Sequence, residues 1–172
     1  MGGYFYKKLN NSKIIIKSVN FPTLFKYNNK NSIALIGVGG NLGDVKRRFN
    51  HLLIYLKRDK FIKVIATSII FKNPPFGFLE QPFFYNTLFL IDTKLTPMKL
   101  LRHLQRVEKY FKRKREFKNS PRTLDLDIIF YEKEEVSKAP TLIIPHPHWS
   151  KRESVLVPLK YLKGVKCLKR VL

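Results

Sequence analysis

The order of periodic segments along this chain leaves few folds open to it. Six segments have the apolar period of a strand or of a helix, and they cover residues 33–38 (strand), 44–58 (helix), 61–71 (strand), 85–92 (strand), 97–114 (helix) and 124–130 (strand). This β-α-β-β-α-β order is the arrangement of ferredoxin-like folds. We therefore predict an α+β sandwich in which the helices pack on an antiparallel sheet.

Both predicted helices have recognisable start signals. Asn41 or Asp44 can cap the first helix, and Thr96 followed by Pro97 marks the start of the second. Their apolar side chains recur at helical spacing, at Phe49, Leu52, Leu53 and Leu56 and at Leu100, Leu101, Leu104, Val107 and Phe111. Each helix therefore has one face that can pack against the sheet.

The length of the chain sets the number of domains. A chain of 172 residues can bury one full core and is short for two ordinary domains. We predict a single domain over residues 32–172, preceded by an extension over residues 1–31 in which no steady period defines the structure. Ile14, Ile15 and Ile16 in this extension either add a strand to a sheet edge or belong to a loosely tethered arm.

The chain carries a formal net charge of +22. Such a charge is typical of nucleic-acid-binding proteins, because lysine and arginine neutralise phosphates. Here the lysines are scattered over nearly every segment, which indicates a compositional bias of the whole chain. We expect no nucleic-acid partner, although the positive field would draw a small polyanion towards a cleft.

Cysteine usage and hydropathy indicate the compartment. Cys167 is the single cysteine, so no internal disulfide can form, and no Cys/His spacing typical of a structural zinc site is present. No apolar run reaches the length of a membrane span, and the run at residues 14–16 is too short for a signal-peptide core. We expect a cytoplasmic protein with no membrane contact.

Two carboxylates interrupt the last predicted strand, in the run PRTLDLDIIF. Asp125 and Asp127 project from one face of this strand, and the apolar residues beside them project from the other. Like charges this close raise one another's pKa unless a cation lies between them, and Mg²⁺ accepts a few carboxylates together with waters and phosphate oxygens. The pattern predicts either a magnesium site, with Arg122 as a phosphate-binding neighbour, or an edge strand whose acids discourage aggregation.

Four further motifs join this run in the order and at about the spacings of one family. The five segments are GGNLG (39–43), NPPFG (73–77), QPFFYN (81–86), RTLDLDI (122–128) and PHPHWSKR (145–152). Together they resemble the signature of the 6-hydroxymethyl-7,8-dihydropterin pyrophosphokinases of folate biosynthesis. The resemblance covers residues 33 to about 160, and agreement of several motifs in order is far more specific than any single motif.

The resemblance implies a ferredoxin-like fold and a reaction. The terminal pyrophosphoryl unit of ATP would move to the hydroxymethyl oxygen of the reduced pterin, leaving AMP. Asp125 and Asp127 would hold two Mg²⁺ ions, and the arginines Arg113 and Arg122 would be catalytic by neutralising charge on the triphosphate. Arg113 and its neighbour Arg115 could instead form only a basic helix end.

The same resemblance implies a set of nucleotide-binding residues. They are Gln105, Glu108, Arg115, Arg122, Ile128, His146 and Arg152. Gln105 and Glu108 lie three residues apart and so share a helix face, although ordinary surface residues would show the same spacing. His146 and His148 could also suggest zinc, but they lack further ligands.

The pterin would bind in a flat slot formed by Pro74, Phe76, Phe84 and Asn86. Phe84 can stack on the pterin ring, and Asn86 can both donate to and accept from its amide edge. The alternative is an aromatic loop core, because phenylalanine is abundant throughout this chain.

Four positions depart from the family pattern. Asn119-Ser120 replaces a Trp-Gly pair, Ser154 lies near the expected second aromatic of the pterin slot, Pro147 replaces a tyrosine and Gly40 replaces a serine. Trp149 is a candidate for the missing second ring.

Two other functions compete with this enzyme. An RNA-binding module of the same topology would display exposed aromatics on its central strands, whereas this strand face carries Asp125 and Asp127. A family member with only a structural role would have no need of Arg122, Asn86 and His146. We expect a monomeric enzyme whose partners are ATP and 6-hydroxymethyl-7,8-dihydropterin.

Overall fold

A computed structural model describes residues 3–26, 31–75, 77, 79–113, 120–162 and 164–172. The described residues contain strands β1 (Phe5–Lys8), β2 (Ile14–Lys17), β3 (Thr23–Leu24), β4 (Ser32–Gly40), β5 (Ile62–Thr67), β6 (Ile70–Asn73), β7 (Phe84–Thr93), β8 (Asp125–Tyr131), β9 (Val136–Lys138) and β10 (Leu142–Ile144). The helices are α1 (Val45–Lys57), α2 (Pro97–Tyr110) and α3 (Glu153–Leu159), with 3₁₀ turns at Trp149–Lys151 and Lys166–Arg170.

The central sheet has the predicted ferredoxin-like order. Strand β8 pairs with β4, β4 pairs with β7, and β7 pairs on its other side with both β5 and β6, all antiparallel. Strand β6 continues through β2 to β1, and β5 also pairs with β3. Strands β9 and β10 form a separate hairpin. The α+β sandwich with helices on an antiparallel sheet is confirmed.

The prediction of one continuous strand over residues 61–71 is wrong, because β5 and β6 are separate. Between them, the Oγ of Ser68 accepts a hydrogen bond from the backbone N–H of Leu88 at 2.8 Å and lies 3.0 Å from the Oγ1 of Thr87. This side-chain contact interrupts the ladder. As a result β5 pairs with the C-terminal half of β7 and β6 with its N-terminal half.

The helix starts agree with the prediction, but one end differs. Asp44 caps α1, since its Oδ1 accepts a hydrogen bond from the backbone N–H of Arg47 at 3.0 Å. Helix α2 begins at Pro97 as predicted and ends at Tyr110 instead of near residue 114. Lys112 adopts a φ of 59°, a left-handed conformation that cannot continue a right-handed helix.

The N-terminal extension adds to the sheet. Strand β2 pairs with β6, and Ile15 and Ile16 are only 3% and 1% exposed. Of the two alternatives for this segment, the structure shows the added strand, and β1 pairs with its outer side.

The sheet is covered on both faces. Helices α1 and α2 pack on one face, against Ala34, Ile36 and Val38 of β4. On the other face Ile33 and Leu35 pack under α3 and the C-terminal turn, a cover that the sequence patterns did not predict. None of the described helices has the length and hydropathy needed to span a membrane.

Candidate active site

A cavity of about 920 Å³ opens where the C-terminal cover of the sheet ends. Along the covered face of β4, Ile33 and Leu35 are buried in the core, whereas the next two residues on the same face, Gly37 and Gly39, line the cavity. The cavity floor is therefore the bare backbone of a central strand.

Gly39 lies between two of the predicted site residues. It pairs with Asn86 of β7 on one side and with Asp125 of β8 on the other. A Cβ atom at position 39 would lie 3.1 Å from the Oδ1 of Asn86 and 3.8 Å from the Cβ of Asp125. The glycine thus leaves room for two functional side chains beside it.

The prediction that the two acids share one strand face is confirmed. Asp125 and Asp127 both line the cavity. The side chains that alternate with them, Leu124, Leu126 and Ile128, belong to the core beneath the helices. Ile128 is one of the predicted nucleotide-binding residues, and its side chain lies on the opposite face from the cavity.

Two arginines neutralise Asp125. Its Oδ2 accepts a hydrogen bond from Arg122 Nη1 at 2.8 Å, and its Oδ1 lies 2.7 Å from Arg113 Nη2. Arg122 also places its guanidinium carbon 5.3 Å from the ring centroid of Phe84. The structure therefore brings both predicted catalytic arginines to the acidic pair.

Asp127 is in a different electrostatic state. Burial, together with the negative charges of Asp125 and Glu108, raises the pKa of its carboxyl group to about 7, against the opposing effects of Arg113 and Arg152. Around neutral pH this carboxyl group is therefore partly protonated. A cation placed beside it would favour the ionised form.

The donor set at the acidic pair fits Mg²⁺. The described residues include no group of three or more His, Cys, Asp and Glu side chains that could hold a metal. A cation at Asp125 and Asp127 would therefore complete its shell with waters and phosphate oxygens, which is how Mg²⁺ binds with a nucleotide.

Helix α2 supports the acidic strand from behind. Glu108 is buried, and its Oε1 accepts a hydrogen bond from the backbone N–H of Leu126 at 2.7 Å and also pairs with Arg113. Gln105, the other predicted nucleotide-binding residue of this helix, is exposed and does not line the cavity. Glu108 therefore positions β8 and Arg113.

The proline-rich segment after β10 reaches the cavity through Arg152 and His148, which both line it. His146 does not line the cavity, but its backbone N–H donates to the carbonyl oxygen of Ile129 at 2.9 Å and ties the segment to β8. Burial and the neighbouring charge of Arg152 lower the pKa of His146. We expect a neutral imidazole there at physiological pH.

Three of the four predicted pterin-binding residues line the cavity, namely Pro74, Phe84 and Asn86. The Nδ2 of Asn86 donates to the Oδ1 of Asn73 at 2.7 Å, which fixes the orientation of the Asn86 side chain. Phe76 and the arginine Arg115 lie outside the described residues.

Trp149 does not supply the missing second ring. It is half-buried and packs edge-on against Phe130, with ring centroids 4.8 Å apart, against the core cluster that α3 covers. Ser154 does line the cavity, as expected for the position of the second aromatic. At Gly40 a Cβ atom would lie 2.5 Å from the carbonyl oxygen of Thr123, so the close approach of two backbone segments explains the glycine.

Sequence reasoning missed the structural role of Asn41. Its Nδ2 donates to the Oε1 of Gln81 at 2.9 Å and to the carbonyl oxygen of Pro82 at 3.1 Å, and its Oδ1 accepts from the backbone N–H of Arg122 at 2.8 Å. One buried amide thus joins three of the five motif segments. Asn41, Gln81, Pro82 and Arg122 all belong to segments of the family signature. That shared membership was the sequence signal that these residues meet in the fold.

Fold and site together define a class of protein, an α+β protein whose antiparallel sheet carries an acidic pair, arginines and an aromatic and amide wall in one cavity. Residues 35–164 match the family model described as 7,8-dihydro-6-hydroxymethylpterin-pyrophosphokinase. The chain belongs to this family.

Curated relatives agree with the family match. Three proteins named 2-amino-4-hydroxy-6-hydroxymethyldihydropteridine pyrophosphokinase are similar to the chain. The one from Helicobacter pylori is 38% identical over 151 residues, covering 84% of this chain and 90% of that protein. The one from Campylobacter jejuni is 42% identical over 135 residues, covering 78% of this chain and 82% of that protein. The one from Bacillus subtilis is 36% identical over 129 residues, covering 75% of this chain and 77% of that protein.

Proposed function

We propose that this protein transfers pyrophosphate from ATP to 6-hydroxymethyl-7,8-dihydropterin, giving AMP and the pterin pyrophosphate in folate biosynthesis. One observation carries the proposal: Asp125, Asp127 and Arg122 line the same cavity as Phe84 and Asn86. A phosphate-binding end and a ring-binding end are thereby joined, as direct transfer between two bound substrates requires. Membership of the family supports the same reaction.

The reaction exchanges one oxygen–phosphorus bond for another. The hydroxymethyl oxygen of the pterin attacks the β-phosphorus of ATP and loses its proton, while the bond from that phosphorus to the oxygen bridging the α-phosphorus breaks. AMP leaves with the bridging oxygen. Phosphoryl transfer of this kind asks the protein for positioning and for neutralisation of charge.

Asp125 and Asp127 would hold magnesium in this proposal, with two ions expected. When bound, the metal would neutralise phosphate charge and orient the attacking and leaving oxygens. The strand contributes by presenting both carboxylates on one face, at the floor of the cavity.

The arginines would change partners when ATP binds. Arg113 and Arg122 are ion-paired with Asp125, and phosphate oxygens are competing anions of matching geometry. Transfer of these guanidinium groups to the triphosphate would free Asp125 to serve as a metal ligand. Arg152, on the cavity wall, is a further candidate for phosphate binding.

Other nucleotide contacts rest on the family resemblance alone. We keep Gln105, Glu108, Arg115, Ile128 and His146 as nucleotide-binding proposals on that ground. The basic charge of +22 supports attraction of a triphosphate into the cavity.

The pterin would bind at the β7 end of the cavity. Phe84 offers a ring for stacking, and Asn86 offers an amide held in place by Asn73. Pro74 lies beside them, and Phe76 is proposed to complete the wall.

The RNA-binding alternative gains no support from the described residues. The sheet face that such a module would use presents Gly37, Gly39, Asp125 and Asp127 to the cavity. We propose that the protein binds no nucleic acid, and we keep as further proposals from the sequence that it acts as a monomer and works in the cytoplasm.

A product analysis tests the function. Purified protein is incubated with ATP, Mg²⁺ and 6-hydroxymethyl-7,8-dihydropterin, and the products are separated by chromatography, with EDTA and pterin-free reactions as controls. We expect AMP and the pterin pyrophosphate in equal amounts, and neither product in the controls. Release of ADP, or the absence of both products from well-folded protein, would contradict the proposal.

A further inference from the structure

The N-terminal hairpin, β1 and β2, reaches the cavity although it lies outside the residues 35–164 that match the family model. Lys13, the residue before β2, lines the cavity. The pairing of Ile14 with Lys72 places Lys13 at the level of Asn73, the residue that holds Asn86. The chain therefore supplies a cation to the site from a segment beyond the matched domain.

Lys13 is fixed to the opposite wall by an ion pair. Its Nζ lies 2.7 Å from the Oε2 of Glu153, the first residue of α3. The Lys13 side chain is only 28% exposed, which is low for a surface lysine. Glu153, Ser154 and Val155 also line the cavity, so this ion pair is part of the wall.

The hairpin is also packed against α3 behind this ion pair. Ile15 is buried with Phe71, and Val157 of α3 and Tyr161, which follows the end of α3, pack against that cluster. The ammonium group of Lys17 lies 5.5 Å from the ring centroid of Tyr161. The hairpin thus holds both Lys13 and the helix that carries Glu153.

The position of Lys13 in the sheet decides which substrate it can contact. Four strand spacings separate β2 from β8, in the order β2-β6-β7-β4-β8. At about 4.8 Å for each spacing, the backbone before β2 lies roughly 19 Å from the strand of Asp125 and Asp127. Lys13 is therefore at the ring-binding end, beside Asn73 and Pro74, and away from the acidic pair.

We propose that Lys13 is a binding residue for the pterin ring, contributed by the N-terminal hairpin. The inference rests on the proposed function, because it takes the ring-bearing substrate to lie at Phe84 and Asn86. A pterin presents a carbonyl oxygen and ring nitrogens as acceptors, and an ammonium group held by Glu153 can donate to them. With Ser154 in place of a second aromatic, this wall recognises the ring through charge and hydrogen bonds.

Steady-state kinetics of Lys13→Met test the proposal, because this change removes the ammonium group and keeps most of the apolar stem. We expect the KM for the pterin to rise about tenfold, because one hydrogen bond from a charged group is lost. The KM for ATP and kcat should stay nearly unchanged. Lys13→Arg should restore most of the affinity, and Lys13→Gln serves as a second neutral variant.

Calorimetric binding of the pterin, in the presence of α,β-methylene-ATP, should show the same loss of affinity without turnover. Lys8→Ala is the matched control, because Lys8 is exposed, pairs with Ile14 in the same hairpin and does not line the cavity. Equal pterin affinity in wild type and Lys13→Met, or a change confined to ATP, would overturn the inference and leave the function standing. Failure of the wild type itself to bind and convert the pterin would instead refute the proposed function.

Discussion

One face of the central sheet is divided into a closed half and an open half that share the same strands. In the closed half, Ile33 and Leu35 are completely buried beneath α3 and the C-terminal turn. In the open half, Gly37 and Gly39 line the cavity. The pairing of β4 with β7 continues without interruption through both halves. The cavity therefore forms where β4 carries glycines, while the hydrogen bonding of the sheet stays intact. Substitutions at one end of β4 should affect stability, and substitutions at the other end should affect binding.

Asp127→Asn should give the largest effect and should be confined to the open half. We expect kcat to fall by about a thousandfold, because charge neutralisation at the transferred group is lost. The fold should survive, since the buried carboxyl group is already partly protonated near neutral pH. Turnover and far-ultraviolet circular dichroism check both points. Glu134→Gln, a charge change at an exposed position, is the control, and near-normal turnover of folded Asp127→Asn would count against the metal assignment.

Leu35→Ala should act on the closed half alone. Removing this fully buried side chain should lower the free energy of unfolding by about 3 kcal/mol. The kcat of the folded fraction should stay near the wild-type value, because Leu35 does not line the cavity. Urea denaturation and active-site-normalised turnover measure the two quantities. A loss of turnover that exceeds the loss of folded protein would show that the halves are coupled.

Gly39→Ala should have the converse effect. The new Cβ atom, 3.1 Å from the Oδ1 of Asn86, would displace that amide and lower kcat/KM by roughly tenfold or more. The free energy of unfolding should change little, because Gly39 lies in a strand at the cavity floor. Gly3→Ala is a control, since a Cβ atom there meets nothing within 4 Å. Unchanged kinetics for Gly39→Ala would mean that Asn86 does not need its present position.

A pH dependence of stability should also belong to the open half. Asp127 has a pKa of about 7 in the folded protein, above the value of about 4 expected in the unfolded chain. The folded state therefore binds this proton more tightly, and in metal-free protein the stabilisation is complete below pH 4 and is lost as the pH rises to 7. Urea denaturation between pH 4 and 8 should show a steeper decline for wild type than for Asp127→Asn. Parallel curves would mean that the pKa of Asp127 is not raised.

Local patterns predicted the parts of this molecule that depend on neighbouring residues. The strand period placed Asp125 and Asp127 on one face, and helical periods with Asp44 and Pro97 gave the starts of α1 and α2. The break between β5 and β6 could not be predicted, because it coincides with a hydrogen bond from the backbone N–H of Leu88 in β7 to the Oγ of Ser68, a contact across 20 residues of sequence.

Site features that depend on distant contacts were also out of reach. Trp149 was a candidate for the pterin slot, but it is half-buried and packs against Phe130. Asn41 could be recognised as a possible helix cap, whereas its hydrogen bonds to Gln81 and Arg122 require the folded arrangement of three loops. Periodicity carries no information on either contact.

The two substrate ends of the cavity are carried by strands of unequal protection against amide hydrogen exchange. Strand β7, with Phe84 and Asn86, is paired on both sides, so most of its amides should exchange only through global unfolding. Among the described strands β8 pairs only with β4, and the N–H of Leu126 depends on the side chain of Glu108. Deuterium uptake should therefore be slow at the ring-binding end and faster at the acidic strand. Nucleotide binding should lower the rate of uptake most in the acidic strand.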